Sequence, residues 1–91
     1  MKYEFKTSFK RSLKKLPSSQ QLSINEAIET LQDFLDKKIS LPGGLGLKHY
    51  GSDYWEIRAD LSLRVLFEMD HDRVVFYFVG DHDDVRHFVQ H

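Results

Sequence analysis

The hydrophobic period of this chain changes once, and Leu41-Pro42-Gly43-Gly44 marks the change. Upstream, Ile24, Ile28, Leu31 and Leu35 recur at helical spacing, widened into a stripe by Ala27 and Phe34. Before them Phe9, Leu13 and Leu16 do the same over a shorter stretch that Pro17 ends. Downstream of Gly46 apolar and polar residues alternate, the period of half-buried strands. Two helices in succession followed by strands joined through short turns give an α+β chain, with a helical hairpin packed on one face of a four-stranded antiparallel meander.

The expected boundaries follow from turn and cap chemistry. Tyr3 to Lys6 alternate and read as a first strand. Thr7 or Ser8 is placed to cap the first helix. The second helix is expected to start between Ser18 and Ser23, with Ser23 and Glu26 at capping-box spacing and Lys37 and Lys38 in its last turn. Strands are expected at about 45–50, 54–60, 62–69 and 73–79. Gly51-Ser52-Asp53 and Asp70-His71-Asp72-Arg73 supply turns between them. Gly80 ends the last strand, and Asp81 is a good N-cap for a final helical turn or two through Val85, Phe88 and Val89.

Strict alternation sorts the strand residues into two faces. One receives Trp55, Ile57, Ala59, Leu63, Val65, Phe67, Met69, Val74, Phe76 and Phe78, and should lie under the helices. The other receives Tyr54, Glu56, Arg58, Arg64, Leu66, Glu68, Val75, Tyr77 and Val79. A tight turn around Asp60-Leu61-Ser62 sets Arg58 opposite Arg64. Like charges directly opposite each other are destabilising. Two arginines sharing a patch are placed to take a phosphate between them. The plainer reading is that they splay to water or pair diagonally with Glu56 and Glu68.

With 91 residues the chain is expected to form one domain. It has no cysteine, so disulfides and thiolate metal sites are excluded, and a reducing cytoplasm fits. No apolar run reaches the roughly 18–20 residues of a membrane span, and the charged N-terminus lacks the apolar core of a signal peptide. The net charge of -1 argues against gripping nucleic acid by bulk charge. Its distribution is uneven. Residues 1–16 carry Lys2, Lys6, Lys10, Arg11, Lys14 and Lys15 against Glu4 alone, while residues 17–91 carry seven basic and thirteen acidic side chains. The basic end is either a docking surface for an acidic partner or a solvated helix face.

FKRSLKKL near the start, LPGGLGLKHY before the strands, then WEIR, LRVLF and VVFYFVGDHDDVRHF resemble the RelE/ParE toxin superfamily over nearly the whole chain. The resemblance implies the toxin of a type II toxin–antitoxin pair, cytoplasmic and held in a hetero-oligomer with a cognate antitoxin. Many members are mRNA interferases, ribosome-dependent endoribonucleases that cut translated mRNA; another branch inhibits DNA gyrase, and some relatives bind without acting. An antitoxin-like regulator is the least favoured alternative, since no DNA-reading helix or disordered neutralising tail stands out.

The resemblance also implies roles. Arg58 and Arg64 match the two strand arginines of the nuclease branch, and Lys48 matches a lysine before the first of those strands. Gly80-Asp81-His82 spells the Gly-x-His of members with a histidine after the last strand, and the tail adds Arg86 and His87 with no tyrosine. Metal-free RNA cleavage needs a base for the 2′-hydroxyl, an acid for the leaving 5′-oxygen and cations for the phosphorane. Arg58 and Arg64 are the candidate phosphate clamps, with Lys48 and Arg86 as further cations. His82 is the candidate acid or base, with His87 in reserve. Tyr54 and Tyr77 could stack a splayed base; ordinary strand aromatics are the plainer reading. Lys10, Arg11, Lys14 and Lys15 are the candidate antitoxin-binding residues. No cofactor and no metal are expected: His87 and His91 are four apart but have no third ligand at matching spacing.

Overall fold

A computed structural model describes residues 1–51 and 53–90. The elements are β1 (Lys2–Phe5), α1 (Thr7–Lys14), α2 (Ser18–Leu35), a single 3-10 turn (Gly43–Leu45), β2 (Lys48–Tyr50), β3 (Tyr54–Arg58), β4 (Arg64–Met69), β5 (Arg73–Gly80) and α3 (His82–Gln90). The four later strands form the expected antiparallel meander, and β1 adds to it parallel to β5, giving a five-stranded mixed sheet in the order β1-β5-β4-β3-β2. Among the described residues no helix is long and apolar enough to cross a membrane.

α1 and α2 bury Phe9, Ile24, Ala27, Ile28 and Leu31 against Ile57, Val65, Phe67, Val74, Phe76 and Val79 of the sheet. Leu45 of the 3-10 turn enters the same core. Phe9, Phe67 and Phe76 supply its aromatic centre, and the exposed Phe5 of β1 stacks on Phe76 at 4.9 Å at its margin.

Several boundaries differ from expectation for local reasons. α2 starts at Ser18, the first residue of the expected range, directly after Pro17; Ser23 and Glu26 therefore lie inside the helix and form no capping box. The Ser23 hydroxyl instead donates back to the Ser19 carbonyl. Neither Thr7 nor Ser8 caps α1, whose N-cap is Lys6. Ser8 and Ser12 serve the sheet. β1 stops at Phe5, leaving the far end of β5 without a strand partner on that side. There Ser8 Oγ donates to the Tyr77 carbonyl, and Ser12 Oγ accepts the Val79 N–H at 3.0 Å. Two serines one turn apart thus finish an edge that would otherwise leave buried backbone groups unpaired.

α2 ends at Leu35, so Lys37 and Lys38 lie beyond its last turn. Lys38 N–H bonds the Asp33 carbonyl and Lys37 N–H the Phe34 carbonyl, a Schellman closure. Lys37 occupies its left-handed position with φ 64°.

The strands at 54–60 and 62–69 are shorter than expected because Asp60 organises the connection. Its Oδ1 accepts the N–H groups of Ser62 at 2.8 Å and Leu63 at 2.9 Å, which holds its carboxyl below the usual carboxylate range. α3 is also longer than one or two turns. Asp81 Oδ1 accepts the Asp84 N–H while Asp84 Oδ2 accepts the Asp81 N–H, a reciprocal cap that starts nine helical residues. In the turn at Gly51-Ser52-Asp53, Ser52 lies outside the described residues, as does His91.

Strict alternation fails in β5. Leu66 pairs with Phe78 and Phe67 with Phe76, so Tyr77 is an extra residue in the ladder. The bulge reverses the alternation beyond it. Val79 enters the core, and Phe78 turns to the second face to stack on Phe88 of α3 at 4.8 Å. Both are opposite to the expected assignment.

Candidate functional site on the second face of the sheet

The second face is partly roofed. Leu66 and Val85 are fully buried where α3 crosses β4 and β5. Around α3 the accessible surface takes the form of clefts rather than an open sheet.

At the N-terminal end of α3, Arg64 and His82 line one cleft of about 230 Å³ with Leu61, Ser62, Asp81 and Asp83. Arg64 is held firmly. Its Nη1 faces the carbonyls of Asp60, Leu61 and Leu63 at 3.2–3.4 Å, and its Nε faces Glu56 at 3.9 Å. His82 is exposed, and its ring meets Tyr50 edge-on at 6.4 Å. The neighbouring carboxylates are engaged. Asp81 caps α3, and Asp83 pairs with Arg86 at 3.0 Å. The local acidity that would repel a phosphate is therefore partly compensated. This also accounts for Arg86, an exposed helix side chain committed to Asp83.

Arg58 is the Cα partner of Arg64, as the turn residues imply. Its side chain goes elsewhere. The Arg58 guanidinium lies along Gly46, where an added Cβ would sit 3.4 Å from Arg58 Cβ and 3.7 Å from its Nε. Gly46 adopts φ 63°, so glycine meets both the backbone and the space requirement there. Arg58 then lines a cleft with Ser23, Glu26 and Thr30 of α2. Glu56 and Glu68 do not lie between the two arginines. Glu56 turns to Lys48 and Arg64, and Glu68 accepts a hydrogen bond from the Tyr77 hydroxyl.

Lys48 sits on the edge strand opposite Glu56, with Nζ 3.3 Å from Glu56 Oε1. Tyr54 and Tyr77 meet edge-on at 5.6 Å and share a second cleft with His87, Phe88 and Val89. The hydrogen bond to Glu68, then burial, pushes the Tyr77 hydroxyl up to about 12; burial, then Glu68, raises that of Tyr54. Both phenols therefore stay protonated near neutral pH and suit stacking or donation rather than proton abstraction.

Lys10, Arg11, Lys14 and Lys15 are all exposed along α1. Arg11 and Lys15 rim a groove of about 350 Å³ between α1 and α3, with Leu16, Phe78 and Phe88 among its lining residues. That groove escaped the sequence reading because the bulge delivers Phe78 to it. Glu56 was also missed as a buried charge, since alternation places it on the polar face. In the β4–β5 turn Asp70, His71 and Asp72 bring ligand atoms within 4.8 Å of one another, all exposed; this is the cluster able to approach a cation among the described residues. Asp70 Oδ1 is meanwhile occupied by the N–H groups of Asp72 and Arg73.

No family model and no curated relative matches the chain. Solved structures do. A chain of the RelB–RelE antitoxin–toxin complex from Methanococcus jannaschii superposes with a TM-score of 0.70 at 23% identity, over 93% of this chain and 96% of that one. YafQ from E. coli superposes with a TM-score of 0.68 at 13% identity, over 91% and 94%. The YoeB dimer from Staphylococcus aureus gives 0.64 at 17% identity, over 90% and 97%. The fold is that of the RelE-type toxins. In this RelE-type fold the meander and α3 set Arg64, His82 and Lys48 on the second face, while α1 presents Arg11 and Lys15 to the separate groove it shares with α3.

Proposed function

We propose that this chain is the toxin of a toxin–antitoxin pair, an endoribonuclease that cuts translated mRNA on the ribosome. The observation that carries the reading is the single cleft shared by Arg64 and His82, a fixed cation beside an accessible imidazole. The reaction forms a bond from the 2′-oxygen to phosphorus and breaks the bond to the 5′-oxygen. One group takes the 2′-hydroxyl proton and another protonates the leaving 5′-oxygen. His82 serves as one of these, and His87 is the reserve. Arg64 stabilises the phosphorane charge, since its guanidinium stays ionised and is held in place before substrate arrives. Tyr54 and Tyr77 offer ring faces and edges for a splayed base.

The fold's relatives support an antitoxin partner, because RelE occurs in an antitoxin–toxin complex and YafQ in a complex with DinJ. The groove between α1 and α3 suits an apolar segment carrying acidic residues, with Leu16, Phe78 and Phe88 for its apolar side chains and Arg11 and Lys15 for its carboxylates.

Induced expression followed by mapping of mRNA 5′ ends tests the nuclease. Discrete cuts within translated codons are expected. Growth arrest without cuts, accompanied by DNA-damage signalling, would overturn it in favour of a gyrase-directed toxin.

A further inference from the structure

Among the described residues, Glu56 is the charged side chain that the fold buries, at 1% exposure. Neither carboxylate oxygen has a hydrogen-bond partner among those residues, although Oε1 lies 3.3 Å from Lys48 Nζ and 3.9 Å from Arg64 Nε. Burying a carboxylate costs more than loose ion pairs return, and an apolar residue of similar volume is commonly neutral or stabilising at such a site. Its sheet neighbour Leu66 shows that the environment accepts one. Stability therefore does not account for the charge.

We propose that Glu56 is a positioning residue that draws Lys48 and Arg64 onto one point of the second face, so that both cations meet a single phosphodiester. The inference rests on the nuclease reading of Arg64. Lys48 extends from an edge strand with its side chain 60% exposed, and among the described residues Glu56 is its one ion-pair partner. Arg64, two strands away, would repel it. A buried carboxylate between them reverses that repulsion and leaves the trio with one net positive charge, which matches one phosphodiester. It also stands close enough to weaken ground-state binding of the anion it helps to orient. Removing it should loosen the cations while making the site more attractive to anions.

The experiment compares wild type, Glu56→Gln and Glu56→Met. The methionine variant keeps volume and removes the charge, so it is expected to be at least as heat-stable as wild type. In ribosome complexes kcat is expected to fall about 10–100-fold in both variants, with KM unchanged or lower. Binding of a 2′-deoxy, non-cleavable oligonucleotide should be equal or tighter. Loss of kcat that follows loss of folded protein would assign Glu56 a structural role and overturn the proposal, as would wild-type kcat in a stable Glu56→Met. A second readout stands apart from cleavage. In NMR titrations with inorganic phosphate, the Arg64 Nε–H and Lys48 Nζ signals should respond together in wild type and separately in Glu56→Gln. A joint response in the variant overturns the proposal. If wild type cuts no RNA, the nuclease reading fails, while this titration still decides the role of Glu56.

Discussion

Arg58 and Arg64 face each other across β3 and β4 as Cα partners, yet their side chains line different clefts. Arg64 shares its cleft with His82 and is anchored by three turn carbonyls and Glu56. Arg58 leaves along Gly46 toward α2. The divergence relieves the like-charge contact that the register creates. It also separates the two side chains as candidates for catalysis.

Arg64→Ala is accordingly expected to lower the cleavage rate by about 10²–10³-fold, the scale for removing one preorganised donor to a charged transition state. Arg58→Ala should cost far less. Single-turnover cleavage of ribosome-bound mRNA measures both. Equal losses would return Arg58 to the phosphate clamp, and full activity in Arg64→Ala would remove the sheet arginines from the mechanism.

For His82, the Gly-x-His spelling and the shared cleft agree. His82→Ala should reduce the rate by about 10²-fold or more, and cleavage should persist in chelator at concentrations that leave the ribosome intact. Retained activity in that variant would move the role to His87 beside Tyr54 and Tyr77.

How far these sites could be read from sequence depended on how local their causes were. The change of period at Leu41-Pro42-Gly43-Gly44 placed the helical hairpin before the meander, and Asp60-Leu61-Ser62 fixed the arginine register, because both are set by neighbouring residues. The bulge at Tyr77 was not legible. It depends on how eight residues of β5 match six of β4, and no glycine or proline signals it. From that one slip follow the burial of Val79, the Phe78–Phe88 stack and the groove beside α1. Glu56 escaped for a different reason: alternation assigns it to the second face, and alternation alone does not say whether that face is covered at its position.

Lys37 offers a test of the helix end. A left-handed residue with a side chain costs about 1–2 kcal/mol, and glycine gives back part of that through its greater freedom when unfolded. Lys37→Gly keeps the two N–H bonds of the Schellman closure and should stabilise the protein by about 0.5–1 kcal/mol. Urea unfolding should show the gain in midpoint with an unchanged m-value. A loss of stability would mean that the lysine side chain makes a contact outweighing its backbone strain.

Tyr77 predicts an alkaline limb in the stability profile. Its hydroxyl is raised from 10.0 to about 12, chiefly by the hydrogen bond to Glu68, and Tyr3 is raised to about 12, chiefly by burial. A group whose folded pKa lies above its unfolded value contributes stability that is complete below the unfolded pKa and lost as pH rises through the folded one. Stability should therefore fall between about pH 10 and 12. Tyr77→Phe should make that fall shallower while lowering stability at neutral pH through the lost hydrogen bond. An unchanged alkaline slope would show that the Tyr77–Glu68 bond does not persist in solution.

The basic face of α1 separates attraction from holding. Lys10 and Lys14 lie one turn apart and are exposed, whereas Arg11 and Lys15 rim the groove that contains Leu16, Phe78 and Phe88. Charges at a rim steer encounter, and side chains desolvated in a groove set how long the complex lasts. Lys10→Glu with Lys14→Glu changes the local charge by about four units and should slow antitoxin association about 10-fold or more at low salt. Dissociation should stay within about threefold, since rim charges act mainly on encounter. Phe88→Ala should do the reverse, speeding dissociation with little effect on encounter. Its stack with Phe78 also supports α3, so retained helicity must accompany the measurement. Stopped-flow association across a salt series distinguishes the two. If charge reversal leaves the association rate and its salt dependence unchanged, the antitoxin does not approach along α1, and the basic segment is a solvated helix face.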